Sequence, residues 1–331
     1  LSFLDAGMLK RGDPTSEAPA GLADKKNRGR SGSLAVSARA FASRSYYASM
    51  VYQFVSGAMA ERRLRPLADS HLYHSPNFIM PHFDGAQVIT IHDLSTIRFP
   101  QFHRKQMVVL CEGGIRSAIE GKVHVITDSF HVRDELVNDF GVESSRISTV
   151  HLAPDPRCRP RHESECRHAL DALGLSHKAF FLSVGTIEPR KNLLRVFEAF
   201  RAGRRASHFD WPLIVVGASG WKSSREHEML DELIKDGLAL YLDYVTDDTL
   251  LTLYASAGAL VFPSLYEGFG LPALEAAACG CPVITSEHSA MAEFAPEQTL
   301  FVNPEDVSSI SDALKAIPSR SESGSGFNVS S

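Results

Sequence analysis

The sequence predicts an α/β protein built from two doubly wound sheets. Three observations lead there. Short apolar runs of strand length recur from His71 onward, and segments of helical period separate them. A proline-rich break at Pro154, Pro156 and Pro160 then divides the series in two. Strands that alternate with helices pair in parallel and are covered on both faces. A chain of 331 residues with 44% hydrophobic residues can fill two cores.

Taken in order, residues 1–40 carry Pro14, Pro19 and the run KKNRGRSGS and read as an irregular arm. Phe41 to Arg65 reads as a helix with Tyr47, Val51, Phe54, Val55 and Ala58 on one stripe. HLYHS (71–75) and QVITIH (87–92) are strand-like, His103 to Glu120 is helical, and KVHVITD (122–128) is a strand. Ser129 is placed to cap a helix ending near Phe140, and ISTVHL (147–152) is strand-like again. The first domain is assigned to residues 1–157.

Glu163 to Leu173 opens the second domain, residues 158–318. Its strands are AFFLSV (179–184), LIVVG (213–217), LALYL (238–242), ALVF (259–262) and PVIT (282–285), with a weaker one at 299–302. Helices fall at about 192–202, 223–236, 247–257 and 272–279. The end, SRSESGSGFNVSS, reads as a disordered tail over 319–331.

The totals exclude several classes. A net charge of −5 gives no global attraction to nucleic acid. Charge is uneven, with eleven Lys or Arg against five Asp or Glu between Leu1 and Arg65. A solvated basic surface is the plain reading. Peripheral contact with an anionic membrane, or with a lipid-phosphate-linked acceptor, is the sharper one. Five cysteines without a CxxC pair suit a reducing cytoplasm. No run approaches membrane-spanning length, and the first residues lack the charged-then-apolar pattern of a signal peptide.

Chemistry concentrates in ALVFPSLYEGFGLPALEAAACGCPVIT, from Ala259 to Thr285. Here a buried strand runs into a turn with Gly268 and Gly270, then a helix near Pro272. Backbone N–H groups of Gly268, Phe269, Gly270 and Leu271 can approach a ligand, and the helix N-terminus favours phosphate. Glu267 lies in the turn and Glu275 in the helix, with seven residues between them. The loop after the first strand of the second domain, Gly185 to Asn192, sets Arg190 and Lys191 beside another helix start. Asn192 suits a cap there, and the two cations suit a diphosphate.

These stretches resemble the donor site of retaining glycosyltransferase family four, whose GT-B fold sets two Rossmann-like domains about a cleft. The resemblance covers about residues 70 to 315. It implies that Glu267 contacts the donor sugar, Glu275 the nucleotide ribose, and Arg190 and Lys191 the diphosphate. Thr186 stands where relatives often carry Arg, which throws more of the leaving-group charge onto Arg190 and Lys191. By the same match His92, at the end of QVITIH, lies near the donor sugar from the acceptor-side first domain, and Gly185, Tyr244 and Val245 border the nucleotide. Asp243 stands where the family usually has Gly. His71, His74 and His124 read as structural.

The resemblance implies a metal-independent hexosyltransferase with a nucleotide-diphosphate sugar as donor substrate and no cofactor. HLYHSPNF and VITIHDLS lean toward bacterial mannosyltransferases of lipopolysaccharide or exopolysaccharide synthesis, with GDP-mannose as first guess and a glycan or lipid-linked acceptor. The family's opening glycine-rich loop and closing helices are missing from the text, so both ends are read as truncated. A catalytically weak nucleotide-sugar-binding relic is the second reading. A dinucleotide-dependent oxidoreductase is the third, and no GxGxxG follows any strand to support it.

Overall fold

The computed structural model describes residues 8–10, 61–77, 80, 83–121, 123–296 and 298–322. Most of the irregular arm, the stripe helix up to residue 60, much of the basic region and tail residues 323–331 lie outside the described residues. Two compact units form. The first takes in the described residues of Leu1–His92, Arg104–Thr127 and Arg133–Thr149; the second, those of Asp93–His103, Asp128–Val132 and Val150–Ser331.

The chain begins with β1 (Met8–Lys10), β2 (His71–Ser75) and β3 (Ala86–Ile91). Then come α1 (Ser95–Arg98), α2 (Lys105–Glu120), β4 (His124–Thr127), α3 (Phe130–Phe140) and β5 (Ile147–Thr149). The first unit's sheet has the order β1-β2-β3-β4-β5. β2 to β5 pair in parallel, and β1 pairs antiparallel with β2. β1 corrects the reading of residues 1–40 as wholly irregular. Three residues are too few to show a period, and the pairing itself defines the strand. Arg146 ties α2 down, its guanidinium donating to the carbonyls of Ala118, Ile119 and Val123 at 2.8–3.2 Å. His74 bonds Thr90 and His124 bonds Ser148 across neighbouring strands, both at 2.9 Å, as structural histidines should.

The second unit continues with α4 (Glu163–Leu173), β6 (Phe181–Val184), α5 (Leu193–Arg205), β7 (Leu213–Val216), α6 (Ser224–Lys235) and β8 (Ala239–Leu242). It closes with α7 (Asp247–Ser256), β9 (Ala259–Phe262), α8 (Leu271–Ala278), β10 (Val283–Ser286), β11 (Leu300–Val302) and α9 (Val307–Glu322). All strands run parallel in the order β11-β10-β9-β6-β7-β8.

Alternate residues of these strands feed two cores. Phe181, Leu213, Val215 and Val261 pack on one face of the sheet, while Leu182, Ile214, Val216 and Leu260 pack on the other. That period of two, buried on both sides, is why the strands read as unbroken apolar runs. Helix α9 was not drawn from the sequence, and it extends four residues into the predicted tail. Its buried Ile310, Ala313, Leu314 and Ile317 recur at helical spacing, and packing carries the helix past Pro318. No helix among the described residues is long and apolar enough to cross a membrane.

Candidate functional site

From β6 the chain builds outward through β7 to β8, then returns to place β9 on β6's other side. Loops leaving the carboxyl ends of β6 and β9 therefore flank the point where strand order reverses, the usual ligand crevice of such a sheet. These are the Gly185–Asn192 loop and the loop holding Glu267. Glycine is needed in both. At Gly185, with φ of 137°, an added Cβ would lie 3.3 Å from Cε of Lys191. The missing side chain lets Lys191 fold back, its Nζ 4.6 Å from the Phe262 ring centroid. At Gly270, with φ of 96°, a Cβ would press within 2.6 Å of Met291.

Side chains from the two loops interlock in a small ion cluster. Lys191 Nζ donates to Glu267 Oε1 at 2.7 Å, and Arg190 Nη1 donates to Glu267 Oε2 at 2.8 Å. Arg190 also donates to the Tyr266 carbonyl at 2.9 Å and to Glu188 at 2.7 Å. Glu267 and Glu188 are buried, at 7% and 4% exposure. Burial alone would raise the Glu267 carboxyl, but Lys191 and Arg190 together hold it below the usual range. Burial disfavours charge on Arg190 too, yet Glu267 and Glu188 push its pKa above the ordinary value. Two cations and two carboxylates thus balance, and both basic residues reach the free protein's site already paired. One donor is left over: Arg190 Nε is buried without a partner among the described residues.

Glu275 stands in a different setting. It lies on α8, half-buried, and no ion pair joins it among the described residues. Burial raises its carboxyl above the ordinary value, with the Tyr254 hydroxyl acting the other way. Burial and then Glu275 in turn raise the Tyr254 phenol.

The remaining sequence-predicted residues divide. Gly268 accepts a hydrogen bond on its carbonyl from Ser129 Oγ at 2.6 Å. Phe269 is core, its ring centroid 4.9 Å from that of Phe294, so only its backbone is left for a ligand. Leu271 begins α8 and is 37% exposed. Tyr244 is 84% exposed and Val245 half-buried. His92 belongs to the first unit, exposed just past β3, with Nε2 bonded to the Pro76 carbonyl at 2.8 Å.

One expectation fails locally. Asn192 precedes α5 in the left-handed region, φ 61°, and its side chain does not cap. Its Nδ2 donates instead to the carbonyls of Pro263 and Pro304 at 3.0 and 2.7 Å, tying the two loops together. Those carbonyls are buried or partly so and need donors, and the Asn192 amide supplies them. Ser129 does cap, accepting from Val132 N at 3.2 Å while bonding Gly268. The sequence reading missed Glu188 and Tyr266, which together anchor Arg190. An acid two residues before an arginine in one loop was the available signal.

Residues 171–324 match the family model of glycosyl transferases group 1. The chain is 35% identical over 241 residues to O-antigen chain mannosyltransferase B of Escherichia coli, covering 73% of this chain and 63% of that protein. The crystal structure of WaaG, a glycosyltransferase involved in lipopolysaccharide biosynthesis, superposes with a TM-score of 0.61 at 17% identity, covering 75% of this chain and 69% of that one. Anabaena HepE, solved in complex with UDP-glucose, gives a TM-score of 0.58 at 16% identity, covering 73% of this chain and 64% of that one. These likenesses show the GT-B fold. The chain spans less than two thirds of the length of the mannosyltransferase it matches.

Proposed function

On the premise that residues 171–324 place this chain in the glycosyl transferases group 1 family, we propose that it transfers mannose from GDP-mannose to a glycan or lipid-linked acceptor. In this reading transfer retains the anomeric configuration and needs no metal. The C1–O bond to the diphosphate breaks, the nucleotide diphosphate leaves with the electron pair, and C1 bonds to an acceptor hydroxyl that gives up its proton.

The observation that carries the reading is the Arg190–Lys191–Glu267 cluster beside the N-terminus of α8, at the strand-order reversal. Charge accumulates on the leaving diphosphate. In this reading the unused protons of Lys191 and the N–H groups from Gly268 to Leu271 receive it. Glu267, held by both cations, is oriented to meet sugar hydroxyls. Glu275, with no cation to satisfy it, accepts from the ribose, and exposed Tyr244 with Val245 and Gly185 borders the nucleotide. None of the five cysteines is joined in a disulfide, which fits work in a reducing cytoplasm, with a membrane face suggested by a lipid-linked acceptor.

The test is transfer from GDP-mannose to a mannan-type acceptor, with the product anomer read by NMR and the assay repeated in EDTA. An α-linked product, formed equally well in EDTA, is expected. An inverted product, or activity that chelation abolishes, would overturn the mechanism. A second reading, a donor-binding protein without turnover, is favoured by one feature: Glu267 and Glu188 already neutralise both cations. Donor binding with neither transfer nor hydrolysis would select it.

A further inference from the structure

A cavity in the second unit, of about 360 Å³, carries charge that nothing in the donor reading uses. Its lining includes Phe102, Arg195, Lys222, Arg225, Glu226 and Leu265, and none of Gly185, Arg190, Lys191, Glu267 or Glu275. Glu226 lies in the first turn of α6 and is only 6% exposed. Its side chain makes no hydrogen bond or ion pair with any described residue, although Arg225 precedes it. No ion pair joins Arg195, Lys222 or Arg225 to a carboxylate among the described residues either.

Two of the cations are nevertheless held in place. Arg195 donates to Asn192 Oδ1 at 2.9 Å. Lys222 adopts a left-handed backbone, φ 57°, and its ammonium donates to the carbonyls of Gln101 and His103. A non-glycine residue in that region is strained, and such strain gathers at ligand sites. The helix N-terminus favours Glu226 as an anion, and no described side chain donates to its carboxylate. Fixed cations and an unpartnered buried acid in one cavity are complementary to a ligand that brings both an anion and hydroxyl donors.

We propose that this cavity binds a hydroxylated ring bearing a phosphate monoester. Three cations against one carboxylate leave an excess of two positive charges, which matches the nearly doubly charged phosphate at neutral pH. Arg195 and Arg225 take the phosphate oxygens, and the remaining proton of Lys222 adds to them. Glu226 accepts from the ring hydroxyls, and Phe102 and Leu265 flank the C–H faces. The inference does not depend on the donor assignment, since the two residue sets do not overlap.

Calorimetric titration of the full chain with mannose 6-phosphate, inorganic phosphate and mannose tests it. Mannose 6-phosphate is expected to bind at least about tenfold more tightly than either fragment, because each charge-assisted bond adds to the other. Glu226→Gln should weaken mannose 6-phosphate about tenfold and leave inorganic phosphate no weaker. Arg225→Gln, at an exposed position, should weaken both phosphates without touching the fold. Lys191→Ala should leave all three titrations unchanged, which separates this site from the donor site. No binding by folded protein at millimolar ligand, equal affinities with Glu226→Gln, or loss of binding in Lys191→Ala would each overturn the proposal.

Discussion

Glu267 and Glu275 stand eight positions apart on one loop and helix, yet the fold treats them as opposites. Glu267 is almost fully buried, bonded to an ammonium and a guanidinium, and its carboxyl is held below the ordinary range. Glu275 is half-buried, has no cation among the described residues, and its carboxyl is pushed up by burial. Identical side chains at symmetric-looking motif positions therefore carry different energetic signs. The first contributes to folding and organises Arg190 and Lys191. The second costs folding energy and keeps its acceptor capacity for a ligand. Under the proposed function, stability falls to the first and recognition to the second.

Removing a partner from the buried cluster should break this contrast most severely. Glu267→Gln is expected to destabilise the protein by about 3–5 kcal/mol, because Lys191 loses its carboxylate and Arg190 keeps only Glu188. Denaturant unfolding at pH 7 measures it, and a loss below about 1 kcal/mol would place the cluster among ordinary surface pairs. The pH dependence follows with a definite sign. Glu267's native pKa is depressed, so its contribution is present above the unfolded carboxylate value, near 4.3, and is lost as pH falls through the lower native value. Acid unfolding curves of the natural protein and Glu267→Gln should therefore converge at low pH.

Glu275→Gln should act the other way and more gently. A raised native pKa means the penalty on the folded state appears as pH rises above about 4.3. The variant should equal the natural protein near pH 4 and exceed it by about 1 kcal/mol or less at pH 7, while binding the donor less well. A lower melting temperature at pH 7 would show that Glu275 is structural. The smallest effect is expected at Tyr244, which is 84% exposed. Tyr244→Ala should change stability by no more than about 0.5 kcal/mol, so any loss of nucleotide affinity can be read directly.

How far the sequence reached follows the same division. Both sheets were legible because their strands are unbroken apolar runs with helices between them, and Thr246 caps α7, accepting from Thr249 N at 3.3 Å. The loop glycines and the spacing of the two glutamates were also legible, since backbone needs leave a mark in residue type. Partnership was not. Nothing local in GTIEPRKN says that Arg190 and Lys191 will close on Glu267, or that Asn192 will leave its helix to bind the carbonyls of Pro263 and Pro304. Those choices depend on a loop that lies more than seventy residues further along the chain. β1 is set by pairing and α9 by burial, and neither speaks through a short stretch of text.

Thermal stabilisation by nucleotide sugars tests the donor site most directly. GDP-mannose, UDP-glucose, dTDP-glucose and ADP-glucose would be compared beside NAD, on the natural protein and on Glu275→Ala. At a hundred times its dissociation constant a ligand adds about 2.7 kcal/mol, a shift that melting curves resolve. GDP-mannose should raise the melting temperature of the natural protein and leave Glu275→Ala unmoved. Equal shifts in both proteins, or a shift with NAD and none with any nucleotide sugar, would contradict the donor site assigned to these two loops.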